Sequence, residues 1–139
     1  EAGLSPLDVD DIILVIREFP IRVACNSGPL PKEFSWEELT NESGSESPII
    51  EYTSVTRNKR RVARFDAEIV RQAVMYNRPT RIVLNHLDYL DVRNTDSQNY
   101  TPETLSLLRH FEEEIGCRIA YAGFGPDHLI SIQDCMKLA

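Results

Sequence analysis

The run Arg81–Ile82–Val83–Leu84 is almost continuously apolar and stops in Asn85–His86–Leu87–Asp88. No other stretch limits the possible folds of this chain so strongly. Aliphatic residues without in-out alternation mark a strand covered on both faces. Such a strand requires helices packed over it, which predicts a layered α/β structure rather than a bundle or an open antiparallel sheet. Where the run stops, an amide, an imidazole and a carboxylate arrive at the strand's carboxyl end, the edge at which parallel sheets hold ligands.

The neighbouring patterns agree with a layered unit. Asp66 is a good N-cap for a helix whose inner face is Ile69, Val70, Ala73 and Val74 and which closes at Asn77 and Arg78–Pro79. Thr101–Pro102–Glu103 starts a second helix, with Leu107, Leu108, Phe111 and Ile115 inward and Gly116 as its stop. Cys117 to Phe124 reads as a strand that breaks at Gly123–Phe124–Gly125–Pro126–Asp127. Near the start, Ser5–Pro6 and the spacing of Val9, Ile12, Ile13 and Ile16 favour a helix from about Pro6 to Arg17, although the β-branched run Ile12–Ile16 also suits a buried strand. Ile21 to Cys25 is a short strand ending in the turn Asn26–Ser27–Gly28–Pro29, Trp36 to Leu39 is one helical turn, and Asn41 to Pro48 and Asp91 to Tyr100 read as polar loops. The expected order is helix, strand, helix, strand, helix, strand, with a mainly parallel sheet and three ligand loops, 26–29, 85–88 and 123–127, each after a strand.

Length suits one α/β unit: 139 residues bury roughly two thirds of the unfolded surface in a single core. With 15 Lys and Arg against 22 Asp and Glu, the net charge is −7, which argues against broad binding of nucleic acid. Cys25, Cys117 and Cys135 show no paired spacing, so neither a disulfide framework nor a zinc site is expected, and a reducing cytoplasm is the natural setting. The longest apolar run, Ile12 to Ile16, is far too short to cross a membrane. His110 has no second histidine at metal spacing and reads as a surface residue.

Against this acidic background, Tyr52 to Asp66 holds the densest positive charge of the chain together with several hydroxyls. Thr53, Ser54 and Thr56 offer hydroxyls to a carboxylate, Arg60 can clamp one with two parallel hydrogen bonds, and Arg57 can assist. Composition alone allows the plainer reading of a solvated surface loop. Asp88 has a plain reading too, as a strand-end carboxylate that caps a turn.

In order along the chain, Ile21–Arg22–Val23, Asn26–Ser27–Gly28–Pro29–Leu30, Thr53 to Thr56 with Arg60–Arg61 and Phe65–Asp66, Leu87–Asp88–Tyr89–Leu90–Asp91, and Gly125–Pro126–Asp127 together resemble adenylosuccinate synthetase. The similarity is to compact members of that family and to their C-terminal portion, part of a P-loop NTPase-like fold. It implies a GTP-dependent ligation in which the 6-oxygen of IMP is phosphorylated and the amine of L-aspartate displaces the phosphate, with Mg²⁺ neutralising charge. The resemblance further implies an aspartate loop at Thr53, Ser54, Thr56, Arg57 and Arg60, contacts to IMP from Val23, Asn26 and Gly28, and a guanine pocket from His86, Asp88, Gly125 and Pro126. Val23 would meet the ribose through its backbone, its side chain being core. Asp88 would accept from the N1–H and exocyclic amine of guanine, a pairing adenine cannot reproduce.

The family's loop reads T-T-G-R-x-R-R, and here Arg57 stands on its glycine and Asn58 on its first arginine. His86 replaces a lysine, and His128 follows Gly125–Pro126–Asp127 where arginine is common. The family's phosphate-cradling glycine loop, general-base aspartate and catalytic histidine belong to its N-terminal portion, and no G-x-x-x-x-G-K occurs in these residues. The expectation is therefore a substrate-recognition unit that holds no catalytic group or metal of its own, is inactive alone, and forms a homodimer when complete. A non-catalytic nucleotide-binding or regulatory module is the alternative, as is a relative that has lost base specificity through His86 and His128.

Overall fold

A computed structural model describes residues 3, 5–24, 26–96, 100–125 and 127–132 of the chain. Its larger sheet has the order β1-β5-β6-β7, formed by β1 (Ile13–Arg17), β5 (Arg81–Asn85), β6 (Ile119–Phe124) and β7 (His128–Ser131). The first three run parallel, with Val15 opposite Val83 and Leu84 opposite Ala122, and β7 closes the edge antiparallel to β6. Two helices, α2 (Ala67–Asn77) and α4 (Pro102–Ile115), cover this sheet. Val70 from α2 and Leu108, Phe111 and Ile115 from α4 bury themselves with Ile82, Leu84, Ile119 and Ala122 of the strands. Phe65, just before α2, stacks on Phe111 at 4.1 Å between centroids.

The helix boundaries follow from local chemistry. Asp66 caps α2 by accepting from the Glu68 N–H, and Thr101 caps α4 by accepting from the Thr104 N–H, with Pro102 at the first turn. Gly116 ends α4 at φ 70°, a left-handed conformation that favours glycine. Of the residues expected on the inner face of α2, Val70 is buried but Ile69 is 50% exposed.

The expected helix over Pro6 to Arg17 is not formed. A single 3₁₀ turn spans Pro6–Asp8, and Ile13–Arg17 is the edge strand β1. Backbone pairing with β5 decides the outcome, because Leu14 and Ile16 reach the core by period-two alternation while Ile13 and Val15 point outward. The element order differs accordingly, and a second sheet appears that the chain's periodicity does not announce. It is antiparallel, of order β2-β4-β3, from Ile21–Arg22, Arg61–Ala63 and Glu33–Phe34.

Against the second sheet lies α1 (Trp36–Ser43), two turns rather than one, so Asn41 to Ser43 are helical and not loop. Ser35 and Glu38 form a reciprocal capping box, and Gly44 closes the helix at φ 73°. Trp36, Leu39, Phe19 and Val62 form a second buried cluster, and Leu90 packs against both clusters. Within 91–100, expected as loop, Arg93–Asp96 form the short helix α3, and Asn94 and Tyr100 are buried.

Candidate functional site

Three strands of the larger sheet deliver their carboxyl ends to one rim. β1 ends at Arg17, β5 at Asn85 and β6 at Phe124, and backbone hydrogen bonds tie these ends together: the Glu18 N–H donates to the Asn85 carbonyl (3.2 Å) and the Leu87 N–H to the Gly123 carbonyl (3.1 Å). The corner 85–88 is over-determined. The Leu87 carbonyl accepts from the Asp91 N–H at 3.2 Å and from the fully buried amide of Asn94 at 2.8 Å. His86 is held at φ 69°, an uncommon conformation for a residue with a Cβ and one that marks local strain. A Cβ on Gly123 would sit 2.2 Å from Oδ1 of Asn85, so only glycine lets the two strand ends lie this close.

At this corner Asp88 carries Oδ1, a buried acceptor without a hydrogen-bond partner among the described residues. Buried polar atoms are nearly always paired, so an unpaired one beside an open strand end is a place for a ligand's donor. His86 lies 5.0 Å from the Tyr89 ring, and burial, then the Arg17 guanidinium, lower its pKa, leaving a neutral flat imidazole at pH 7. Burial and then the Glu51 carboxylate push the Tyr89 phenol up to about 12. Gly125 is exposed at φ 60°. Pro126, the other expected member of the base pocket, lies outside the described residues.

The basic segment is a hairpin. Tyr52 bridges Lys59, the Thr53 N–H donates to the Asn58 carbonyl (2.9 Å), and the Asn58 N–H returns to the Thr53 hydroxyl (3.0 Å). Hydroxyls of Thr53 and Thr56 meet at 2.6 Å, whereas Ser54 and Arg57 are exposed at the tip. Arg57 adopts φ 54°, a left-handed conformation that favours glycine, the residue that the family motif has at this position. The run is therefore not a uniformly solvated loop. Arg60 is half-buried with Nε buried and unpartnered, and Trp36, itself buried, donates from Nε1 to the Arg60 carbonyl at 2.6 Å. Trp36 also meets Tyr89 edge-to-face, 6.4 Å between centroids, so the hairpin base abuts the Asp88 corner.

The third loop is joined to the hairpin by the next residue along. Arg61 donates to the Gly28 carbonyl (2.6 Å) and the Ser27 hydroxyl (3.0 Å) while pairing with Glu33 at 2.8 Å. Gly28 has φ 85°, and a Cβ there would meet the Arg22 guanidinium at 2.9 Å. Asn26 is exposed, and so is the Val23 side chain, which is 47% accessible rather than part of the core because β2 ends at Arg22 on the outer sheet.

Sequence reasoning missed Arg17, Trp36, Glu51 and Arg61 as parts of this rim. Arg17 carried a usable signal: read as a strand, Ile13–Ile16 would deliver it to the same edge as Asp88. Among the described residues no three His, Cys, Asp or Glu side chains converge to hold a metal, so no Mg²⁺ ligand is assigned to them, and no helix is long and apolar enough to cross a membrane. Cys25 and Cys135 lie outside the described residues, and Cys117 is a free thiol.

Where β1 passes into the second sheet, Glu18 is 5% exposed, with Oε2 buried and unpartnered. Burial lifts its pKa to about 8, with Arg64 opposing and Glu42 reinforcing the rise. The folded protein thus keeps a proton on Glu18 that the unfolded chain gives up near 4.5, so this contribution is complete below pH 4.5 and lost as pH rises to about 8. Glu18→Gln is expected to flatten that slope and to stabilise the protein above pH 8 by on the order of a few kcal/mol, read from urea midpoints at pH 5 and pH 8.5. Parallel pH profiles for the two proteins would contradict it.

The fold is a layered α/β unit with a mainly parallel sheet, a class whose members place ligands beyond the strands' carboxyl ends. Residues 1–96 match the family model for adenylosuccinate synthetase, and the chain belongs to that family. It is 32% identical over 139 residues to adenylosuccinate synthetase of Thermococcus sibiricus, covering 96% of this chain and 39% of that protein. Against the Methanocaldococcus jannaschii enzyme the figures are 33% over 130 residues, 91% and 36%. The chain thus spans well under half the length of these relatives.

Two solved structures share the fold. Succinoaminodeoxyadenylate synthetase of cyanophage S-2L, bound to dGMP and dATP as an energy donor, superposes with a TM-score of 0.60 at 29% identity over 84% of this chain and 32% of its own. Fully ligated adenylosuccinate synthetase of Plasmodium falciparum gives 0.74 at 16% identity, over 93% and 41%.

Proposed function

We propose that the chain is the substrate-recognition part, corresponding to the C-terminal portion, of a cytoplasmic, homodimeric ligase that joins L-aspartate to IMP at the expense of GTP in AMP biosynthesis. The observation that carries the reading is the unpaired buried oxygen of Asp88 at the same rim as the Arg60 hairpin. In this reading Asp88 accepts from the guanine edge, His86 and the Gly125–Pro126 segment flank the base, and Thr53, Ser54, Thr56, Arg57 and Arg60 receive the aspartate carboxylates. Val23, Asn26 and Gly28 meet IMP through a loop whose backbone is fixed by Arg61. Mg²⁺, when bound, would neutralise phosphate charge. The residues here orient the three substrates and contribute no proton-transfer group.

A mixture of IMP, L-aspartate, GTP and Mg²⁺ tests the reading. The 139-residue chain should bind GTP in calorimetry yet form no adenylosuccinate, while the same sequence within its complete polypeptide should form it. Turnover by the 139 residues alone would overturn the division of labour, and absence of product from the complete polypeptide would overturn the activity.

The phage relative favours a second reading of the energy donor and purine acceptor. That protein was captured with dATP as energy donor and with dGMP. His86 offers a neutral ring rather than an ammonium at the base corner. Replacing GTP by dATP, and IMP by dGMP, in the same assay separates the two: faster turnover with the deoxynucleotides would assign this chain to the phage type.

A further inference from the structure

Between the hairpin and the base corner lies a set of side chains to which neither ligand has been assigned. Glu51, at the base of the hairpin, accepts the Arg60 N–H at its carbonyl (2.9 Å) and pairs through its carboxylate with Arg17 at the end of β1. That pair is sheltered, its side chains 25% and 19% exposed, and Nε of Arg17 is buried without a partner. On the other side Trp36 bonds the Arg60 carbonyl and sets its edge on Tyr89, whose N–H donates to the His86 carbonyl at 3.0 Å. Both backbone groups of Arg60 are therefore held by residues that also touch or face the 86–89 corner.

We propose that Glu51 is a positioning residue that, through Arg17 on one side and the Trp36–Tyr89 contact on the other, makes occupation of the base corner and of the Arg60 hairpin interdependent. This rests on the assignment of those two loops to the nucleoside triphosphate and to aspartate. A base seated against His86 displaces or fixes Tyr89, and the packed Trp36 passes that constraint to the Arg60 carbonyl, because a close-packed core transmits small shifts rather than absorbing them. Fixing the hairpin in turn removes freedom that aspartate would otherwise have to quench. The effect must be reciprocal, since coupling between two binding equilibria is a shared free energy.

Calorimetric titration of L-aspartate into the complete native polypeptide, saturated with IMP, tests the coupling with and without guanosine β,γ-imidotriphosphate. The nucleotide is expected to lower the aspartate Kd by roughly 10-fold, within the usual range for such coupling. In Glu51→Gln, which keeps the shape but weakens the Arg17 pair, the ratio should fall to below about 2-fold. Tyr89→Leu, which removes the ring that meets Trp36, should act in the same direction and serves as the second variant if Glu51→Gln does not fold. Equal aspartate affinity with and without nucleotide in the wild type, or coupling that survives both substitutions, overturns the proposal while leaving the ligand assignment standing. Failure of the wild type to bind either ligand removes the assignment, and the coupling falls with it.

Discussion

Asp88→Asn is expected to collapse the preference for GTP over ATP by about 1–3 kcal/mol, roughly 5- to 150-fold in the ratio of kcat/KM values. The size follows from the state of the carboxylate. Oδ1 is buried and unpaired among the described residues, so the corner already bears the cost of desolvating an acceptor, and a guanine edge with two donors recovers it. Asparagine turns one of those oxygens into an NH₂, which faces the donor of guanine without an acceptor and offers adenine N1 the donor it lacked. Selectivity should therefore shift in both directions, GTP weakening and ATP improving. The fold should be spared, because the corner is held by main-chain bonds at Leu87 and by Asn94 and not by the Asp88 side chain. A GTP-to-ATP ratio unchanged in the variant would remove Asp88 from the base site.

The place of that corner was legible in the sequence because the strand leading into it is a local pattern. A continuous apolar run predicts a strand buried on both faces, and the polar residues after it must fall at its carboxyl end. β5 and β6 are found there, as are α2 and α4, whose caps at Asp66 and Thr101 are written in the residues that form them. β1 shows where such reasoning fails. Val9, Ile12, Ile13 and Ile16 match a helical face as well as Leu14 and Ile16 match a strand, and five residues do not distinguish the periods. The choice is made 68 residues away by the register of Ile13 with Arg81. Of the second sheet only β2 was readable, inside the strand expected over Ile21 to Cys25, since β3 and β4, of two and three residues, have no periodicity to read.

The same division runs through the candidate site. Asp88, Arg60 and Gly28 stand out by residue type next to a turn, but their joining depends on Trp36, Glu51 and Arg61, to which local sequence gives no separate role. Arg57 is the instructive intermediate. It aligns with a family glycine, and its backbone lies at φ 54°, in the left-handed region that favours glycine, at the cost of strain for a side chain there. With Asn58 on the family's first arginine, the proposed carboxylate contact rests on Arg60.

Arg60→Leu should consequently raise the KM for aspartate on the order of 10²-fold, as expected for about 3 kcal/mol of charge-assisted hydrogen bonding to a carboxylate, and leave the KM for GTP nearly unchanged. Leucine keeps an apolar stem, and the two structural hydrogen bonds at this position, to Glu51 and from Trp36, use the backbone of residue 60 and survive the change. Loss of affinity would then report the guanidinium itself. Arg60→Lys restores the charge but not the two-pronged geometry, so it should recover only part of the loss. Together the two variants separate three causes: full recovery by lysine would mean a simple electrostatic role, and partial recovery a bidentate clamp. Equal rises in the KM for aspartate and for GTP in Arg60→Leu would mean that the residue supports the rim as a whole and that the aspartate carboxylate binds elsewhere.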